Sequence, residues 1–496
     1  MNLAKTAFLG SIALLVALVV ALYSQMAGDR GQVGPPLIVY CAEALRLPLE
    51  AIRLDFEKES RQPVELRYGS SYFILTQLDQ MKDGDLFLPA DDSYLALARK
   101  KDLTAEVLPL AKMRPVVVTR SGFAKSIKSW NDVIAPDVKL GIANPEAAAI
   151  GKLVRDHLRT QGLWDAVVKQ QPTLLGTVSD VGAAVQLGTI DVGVIWDAVA
   201  KNYPKATVVE VPELNGITAQ VPIAVTKRST QPMQALRFAR FAAAKDRGLD
   251  HLQKHGFHVP TNADAWAMTP KLVVYAGSML RPAIEKTLDE FQHREGVRIT
   301  TVYNGCGILV GQMKTGQRPD VYFSCDTQFM HQVRELFTEP AVVSTNQLVI
   351  AVPKGNKHAL QTLKDLGKPG LKVGVGHEQQ CALGAITKET FLKTGVYADV
   401  QKNVAVQSPS GDLLIVQLRA GSLDVVVAYQ SNVTPYATEI DAIPVTGIPC
   451  AKPEQPLAIG KETPYPQLAL RLEAALQTAE SKRRFEELGF GWEVKK

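Results

Sequence analysis

The sequence has little excess charge and lacks the motifs of common catalytic centres. Its 55 Lys and Arg residues nearly balance 50 Asp and Glu residues, the two signs are interspersed, and the net charge is +5. This pattern shows no basic footprint, so we expect no nucleic-acid partner. No serine triad, nucleotide-binding loop or zinc-protease motif is present, and GHEQQ at residues 376–380 is not HExxH. We therefore predict no catalysis and no cofactor.

Long hydrophobic runs are also scarce. Lys5 precedes the uncharged run AFLGSIALLVALVVALY at residues 7–23, which is typical of a secretory signal or a single membrane anchor. No cysteine follows it closely, so a lipoprotein is not expected. We predict an uncleaved anchor over residues 1–28, a tether over residues 29–36, and an extracytoplasmic chain held at the inner membrane.

One stretch combines a buried strand with a helix start. Residues 272–285 read LVVYAGSMLRPAIE, an apolar run that stops at a small-residue turn. Ser278 is a good helix cap, and Pro282 is tolerated only in a first turn. The turn thus leaves free backbone N–H groups at the positive end of a helix, which favours an anion.

This stretch has a twin earlier in the chain. Residues 37–50 (LIVYCAEALRLPLE) align with it without a gap, at a spacing of 272 − 37 = 235. Near the ends, Gly256 aligns with Gly489 at 489 − 256 = 233. A register that drifts by only two residues over a whole unit indicates an internal duplication. We predict units over residues 37–258 and 271–492, joined by a linker over residues 259–270.

Strands alternate with helices in both units, which predicts an α/β fold with largely parallel packing. Ligands in such folds bind at the carboxyl ends of strands. A single amphipathic helix is expected to close each unit, over residues 234–254 and about 465–488. The predicted strands of the first unit, besides the one in residues 37–50, are residues 64–68, 85–88, 114–119, 138–143, 192–196 and 220–225.

Four loops in each unit follow strands and precede helices, and those of the second unit centre on Ser278, residues 304–307, residues 377–383 and Tyr429. With these loops, the chain resembles two copies of the molybdate-type periplasmic binding protein of ABC transporters, which has a type II binding-protein fold. The resemblance implies two lobes around a cleft that closes on a small tetrahedral oxyanion, for delivery to an ABC permease.

The same resemblance implies ligand-binding positions. Serines of the first two loops, backbone amides and a tyrosine hydroxyl bind the oxyanion in that family. Carried over to this chain, the positions are Ser278, Cys306, Ala382, Leu383, Leu413 and Tyr429 in the second unit, and Glu43, Ser70, Ser71, Ala149, Ile150, Val181 and Trp196 in the first.

The first unit departs from the family pattern at two of these positions. Glu43 stands where the second unit has Ser278, and a carboxylate repels an oxyanion. Trp196 replaces Tyr429 and offers only an N–H group. Either the first unit is degenerate or altered in specificity, or Glu43 turns to solvent while Ser70 and Ser71 still bind.

The second unit departs by its thiols. Five cysteines are an odd number, and Cys306, Cys325 and Cys381 all fall near one predicted cleft. They are buried apolar residues, or Cys306 and Cys381 form a disulfide, or the three thiols with His377 bind Cu(I), Zn²⁺ or a thiophilic ligand. A reactive Cys306 with His377 as its base is a further, enzymatic alternative.

Overall fold

The computed structural model describes residues 34–494. Tertiary contacts divide the chain into two compact units. One contains the residues up to Ala242 together with Arg247–Val259, and the other contains Ala243–Asp246 and the residues from Pro260 onward. Each unit holds two mixed β-sheets with helices packed on them.

The predicted anchor over residues 1–28 and most of the tether lie outside the described residues. Between residues 34 and 494, no helix is both long and apolar enough to cross a membrane.

The first unit is built from two five-stranded sheets, ordered β2-β1-β3-β10-β4 and β7-β6-β8-β5-β9. In the first sheet β1 pairs in parallel with β2 and β3, and β10 is antiparallel to β3 and β4. The chain passes to the second sheet after β4 and returns with β10, so each sheet forms one lobe. The strands are β1 (Leu37–Ala42), β2 (Val64–Gly69), β3 (Leu86–Leu88), β4 (Thr104–Met113), β5 (Pro115–Thr119), β6 (Leu140–Ala143), β7 (Thr173–Leu175), β8 (Val192–Trp196), β9 (Thr207–Val209) and β10 (Ala219–Thr226).

The second unit repeats this topology with the orders β12-β11-β13-β20-β14-β21 and β17-β16-β18-β15-β19. Its parallel pairs are again the first strand with the second and third strands of its sheet. The strands are β11 (Lys271–Gly277), β12 (Arg298–Asn304), β13 (Val321–Phe323), β14 (Ala341–Thr345), β15 (Leu348–Pro353), β16 (Val373–Gly376), β17 (Val404–Ser408), β18 (Val425–Tyr429), β19 (Ile440–Pro444), β20 (Glu454–Ile459) and β21 (Gly491–Trp492).

Helices connect the parallel strands and cover the sheets. Those of the first unit are α1 (Arg46–Ser60), α2 (Ser71–Gln80), α3 (Asp92–Lys100), α4 (Trp130–Val133), α5 (Ala149–Thr160), α6 (Trp164–Gln170), α7 (Val178–Leu187), α8 (Asp197–Ala200), α9 (Pro232–Ala242) and α10 (Gly248–Lys254). Those of the second unit are α11 (Arg281–Glu295), α12 (Cys306–Lys314), α13 (Thr327–His331), α14 (Ala382–Lys393), α15 (Tyr397–Gln401), α16 (Gly411–Arg419), α17 (Gln430–Val433), α18 (Pro466–Leu476) and α19 (Ala479–Glu487).

The predicted α/β fold in two tandem two-lobed units is confirmed, and strand β8 has the predicted bounds. The single closing helix is wrong in both units. Helix α9 ends at Ala242 and α10 begins at Gly248, because Lys245 donates its backbone N–H to Asp264 instead of continuing the helix. In the second unit Thr478 caps a separate α19 by accepting the N–H of Ser481. Strands β4, β7 and β9 of the first unit were not predicted.

The predicted linker contains a buried carboxylate. Asp264 accepts the backbone N–H groups of Gln467 and Leu468 at 2.7 and 3.1 Å, which are free donors in the first turn of α18. Ala265 also donates its N–H to the carbonyl of Pro464 at 2.8 Å. These contacts explain why the residues from Pro260 cluster with the second unit.

Candidate functional site

The candidate site of the second unit lies where strands end and helices begin. Strand β11 ends at Gly277, and Ser278 opens a 3₁₀ turn that leads into α11. Gly305 caps α12, whose first residue is Cys306. From the other sheet, Cys381 caps α14 and Ser410 caps α16, and Tyr429 ends β18. The two lobes thus present several helix N-termini to one place.

These loops enclose a cavity of about 20 Å³. Because α14 begins at the cavity, the backbone N–H groups of Ala382 and Leu383 lie in its first turn, and that of Leu383 contacts the Cys381 thiol. The lining consists of Ser278, Met279, Asn304, Gly305, Cys306, Cys325, Cys381, Ala382, Leu383, Pro409, Ser410, Gly411 and Tyr429.

The first unit has a matching cavity, also of about 20 Å³. Its lining consists of Ala42, Glu43, Ala44, Gly69, Ser70, Ser71, Ala90, Ala148, Ala149, Ile150, Thr177, Val178 and Trp196. Each of these residues except Ala42 has an equivalent in the lining of the second unit. The spacing in the sequence is 278 − 43 = 235 in the first lobe and 381 − 148 = 233 in the second lobe. The duplication therefore extends to the walls of the cleft.

A side-chain acceptor joins the second loop to the third strand in both units. Ser71 Oγ accepts the backbone N–H of Ala90 at 3.1 Å. At the same position in the second unit, Cys306 Sγ accepts the N–H of Cys325 at 3.2 Å. In each unit the second-loop side chain therefore accepts a backbone N–H from the loop that follows the third strand.

Tyr429 brings an unpaired hydroxyl to the cavity. The side chain is 2 % exposed, and its oxygen has no hydrogen-bond partner within the described residues. Burial raises the pKa of the Tyr429 phenol well above its usual range, so the group is a neutral donor. A buried hydroxyl without a partner is costly, and a ligand oxygen would satisfy it.

Glu43, in the first unit, is held by an arginine. Arg46 Nε and Nη2 donate to the two carboxylate oxygens at 2.6 and 2.9 Å. The Arg46 guanidinium also stacks on the ring of Tyr68, 4.0 Å from its centroid. Glu43 lines the cavity, but its charge is turned toward a cation. Trp196 is fully buried at the far wall.

All five cysteines are free thiols, so the structure contains no Cys306–Cys381 disulfide. Cys306, Cys325 and Cys381 are buried in the cavity wall. Burial raises the pKa of Cys381 to about 12. A hydrogen bond with Cys306, together with burial, raises the pKa of Cys325 well above its usual range. Cys325 and Cys381 are therefore neutral thiols at physiological pH.

His377 does not join these thiols in the cavity lining. Its Nδ1 accepts the backbone N–H groups of Gln379 and Gln380 at 3.2 and 3.3 Å, which commits the ring to the shape of the third loop. Over residues 34–494, no group of three or more His, Cys, Asp or Glu side chains is arranged to hold a metal ion.

Leu413 lies outside the cavity lining. Its side chain is 50 % exposed, and its N–H donates to Ser410 Oγ at 3.4 Å. In the first unit Val181 likewise donates its backbone N–H within the chain, to the carbonyl of Thr177. The caps themselves, Ser410 and Thr177, line the cavities instead. Both precede an amphipathic helix, so cap chemistry was the signal that could have identified them.

Comparison with known proteins agrees with this architecture. A family model described as bacterial extracellular solute-binding protein matches residues 37–258 and 272–491. The molybdate-binding protein ModA of Mycobacterium tuberculosis is 26% identical over 224 residues, 44% of this chain and 84% of the relative. A putative binding protein of Haemophilus influenzae is 21% identical over 223 residues, 44% of this chain and 90% of the relative. The solved periplasmic molybdate-binding protein of Azotobacter vinelandii is 17% identical, with a TM-score of 0.40, over 45% of this chain and 100% of its own.

Proposed function

The chain belongs to the family of bacterial extracellular solute-binding proteins, which are not enzymes, and we propose that its second unit captures a small tetrahedral anion of the molybdate or tungstate class. Two relatives bear on this choice. ModA of Mycobacterium tuberculosis is named as molybdate-binding, and a Bacillus subtilis relative is named as a putative ABC transporter substrate-binding lipoprotein. By extension, the bound anion is delivered to an ABC permease, and the N-terminal hydrophobic segment tethers the protein at the outer face of the inner membrane.

The unpaired Tyr429 hydroxyl is the observation that carries the proposal. It lines the same cavity as the Ser278 hydroxyl and the first amides of α14. This donor set is neutral and comes from both lobes, which suits a fully desolvated anion held by hydrogen bonds. An anion in the cavity supplies the acceptor that Tyr429 lacks.

Close packing between the two lobes of this unit supports capture by cleft closure. An added Cβ at Gly305 would lie 2.3 Å from the carbonyl oxygen of Gln380, and one at Gly307 would lie 2.1 Å from that of Gln379. These distances are shorter than any normal contact. Only glycine lets the second loop, on one lobe, approach the third loop on the other this closely.

The first unit is proposed to have lost or changed this specificity. Glu43 replaces the serine of the first loop, and Trp196 replaces the tyrosine, so two hydroxyl donors are missing. The cavity keeps Ser70 and Ser71. We therefore expect one equivalent of tightly bound molybdate for each chain.

Calorimetric titration of the full-length chain with molybdate, tungstate and sulfate tests the proposal. Tyr429→Phe removes only the hydroxyl, and a lost hydrogen bond to a charged ligand predicts about 10- to 100-fold weaker binding. Tyr436→Phe is the matched control, because Tyr436 lies outside the cavity lining and stacks under Arg419. No heat with any of the three anions, or equal affinities of the two variants, would reject the proposed site.

A further inference from the structure

Three sulfur atoms distinguish the cleft of the second unit from that of the first. Cys306, Cys325 and Cys381 take the places of Ser71, Ala90 and Ala148 in the paired linings. The three thiols are between 0 % and 5 % exposed. Two come from the loops of the first-lobe sheet, while Cys381 caps α14 on the other lobe. Separate strands therefore direct three thiols to the cavity at positions where the other unit has none.

Two of the sulfurs are close neighbours. A Cβ built on Gly277 would lie 2.0 Å from Cys325 Sγ and 3.1 Å from Cys306 Sγ, so the two sulfurs are at most 2.0 + 3.1 = 5.1 Å apart. Cys306 Sγ also accepts the N–H of Cys325 at 3.2 Å. This wall of the cavity therefore carries two neighbouring sulfur atoms, and Cys381 adds a third thiol to the lining.

A neutral thiol is a weak hydrogen-bond donor and a polarisable surface. A dianion with oxygen at every corner loses strong hydrogen bonds with water when it is bound. Strong donors can replace those hydrogen bonds, but thiols replace them poorly. A dianion with sulfur at its corners has softer, larger terminal atoms, which gain dispersion energy against sulfur. The wall therefore discriminates by the terminal atom of the ligand rather than by its charge.

The unpaired Tyr429 hydroxyl is independent evidence that a ligand belongs here. It is buried in the same cavity and has no partner within the described residues. With Ser278, it provides strong O–H donors beside the sulfur wall. The described residues provide no metal-binding group, so the donor set points to a soft anion rather than to a bare metal ion.

We propose that the second unit binds a tetrahedral dianion with terminal sulfur, a thio-substituted oxyanion, more tightly than its all-oxygen counterpart. The proposal rests on the function proposed above, because it presumes a tetrahedral anion in this cleft. The three thiols, which the cleft of the first unit lacks, are the reason for choosing a ligand with terminal sulfur.

The test compares anions of equal charge and shape that differ in terminal atoms. The full-length chain, kept anaerobic with five titratable thiols, is titrated with tetrathiomolybdate against molybdate and with thiosulfate against sulfate. We expect the thio anion to bind at least about tenfold more tightly in one or both pairs.

The first unit supplies the design of the key variant. The triple change Cys306→Ser, Cys325→Ala, Cys381→Ala places the residues of the first unit at the three equivalent positions. We expect it to abolish the preference for sulfur. Cys381→Ala alone, with a smaller loss of the preference, serves if the triple variant does not fold. Cys450→Ser is the control, because Cys450 lies beside Thr390 outside the cavity lining.

Two failures are distinguishable. If the oxygen anions bind and the sulfur anions bind no more tightly, or if the preference survives the triple change, this inference is wrong and the proposed function stands. If the oxygen anions do not bind the wild-type chain, the proposed capture of molybdate or tungstate fails. If the sulfur anions do not bind either, the inference fails with it.

Discussion

Cys306 Sγ accepts the backbone N–H of Cys325 at 3.2 Å, and in the first unit Ser71 Oγ accepts the backbone N–H of Ala90 at 3.1 Å. Both N–H groups are buried, so an acceptor is required at this position whatever the ligand. The second-loop residue therefore has a structural role besides any role in binding.

Replacing this acceptor is expected to cost stability. Cys306→Ala leaves the buried N–H of Cys325 unpaired, which predicts a loss of about 1–3 kcal/mol in the free energy of unfolding. Cys306→Ser keeps an acceptor and should lose less. Cys381→Ala, which removes a neighbouring thiol and leaves the acceptor of the Cys325 N–H in place, is the control in urea denaturation. Equal losses for the two Cys306 variants would show that packing, not the hydrogen bond, dominates.

A charge at the first loop is expected to abolish anion binding in the second unit. Ser278→Asp places a carboxylate in the cavity wall, and like charges in a water-poor site cost several kcal/mol, or about 100-fold or more in affinity. Ser278→Ala removes one donor only and should weaken binding by about tenfold. Titration calorimetry with molybdate compares the two variants. Undiminished affinity of the aspartate variant would mean that Ser278 does not face the ligand.

Removing the acidic residue of the first unit is expected to restore its cleft. Glu43→Ser supplies the hydroxyl found at Ser278 and takes away the carboxylate that Arg46 now binds. We expect the molybdate stoichiometry to rise from one to two for each chain. Glu50→Ser, on the same segment but outside the cavity lining, is the control. A stoichiometry that stays at one would show that Trp196 or another wall residue keeps this cleft inactive.

Closure of the second unit is expected to depend on Gly307. Gly307→Ala introduces a Cβ about 2.1 Å from the carbonyl oxygen of Gln379, so the lobes must stand further apart. Molybdate affinity should fall by about tenfold or more while the fold persists. Gly311→Ala, on the same helix α12, meets nothing within 4 Å and should stabilise the helix by up to about 1 kcal/mol. Similar affinities for the two variants would contradict closure at this contact.

Stability is expected to depend on pH through Asp326. Its Oδ1 accepts the N–H of Phe329 at 2.9 Å, its Oδ2 has no partner within the described residues, and burial raises the pKa of the carboxyl to about 6. The pKa of an unfolded Asp is about 4. The stabilising contribution of the protonated carboxyl is therefore complete below about pH 4 and is lost as pH rises through about 6, by about 3 kcal/mol.

Asp326→Asn keeps a helix cap but cannot titrate, so urea denaturation between pH 4 and 7 should show a smaller loss with rising pH. At Asp365 the dependence of stability on pH has the opposite sign. The N–H of Gln361, the Lys368 ammonium and the N–H of Thr362 hold the pKa of Asp365 below its usual range. Its contribution is present above about pH 4 and lost in acid, so Asp365→Asn should matter most at neutral pH. Identical pH profiles for Asp326→Asn and wild type would refute the assignment.

Local patterns predicted the buried strands well, but they missed short exposed strands such as β7 and β9 and predicted the closing helices poorly. An apolar run such as residues 192–196 is buried on both faces, so composition alone identifies strand β8. Residues 243–247 have helix-forming composition, but Lys245 donates its backbone N–H to the carbonyl of Asp264 and Asp246 Oδ1 accepts the N–H of Trp266. These contacts with the linker interrupt the helix. Strand β4 mixes buried, half-buried and exposed residues without strict alternation and contains Pro109, so it lacks the usual pattern of a strand.

The sequence by itself determined the duplication, the α/β class and the loops that meet at each cleft, because periodicity, caps and turns are local properties of the chain. Tertiary structure alone decided which side chains enter the cavity. The pairing of Glu43 with Arg46, the unpaired hydroxyl of Tyr429 and the exclusion of Leu413 from the lining depend on rotamers and on how two sheets pack. The last two depend on residues far apart in the chain, so no local pattern records them. Glu43 and Arg46 are close in sequence, but only the rotamer decides that the carboxylate faces the arginine.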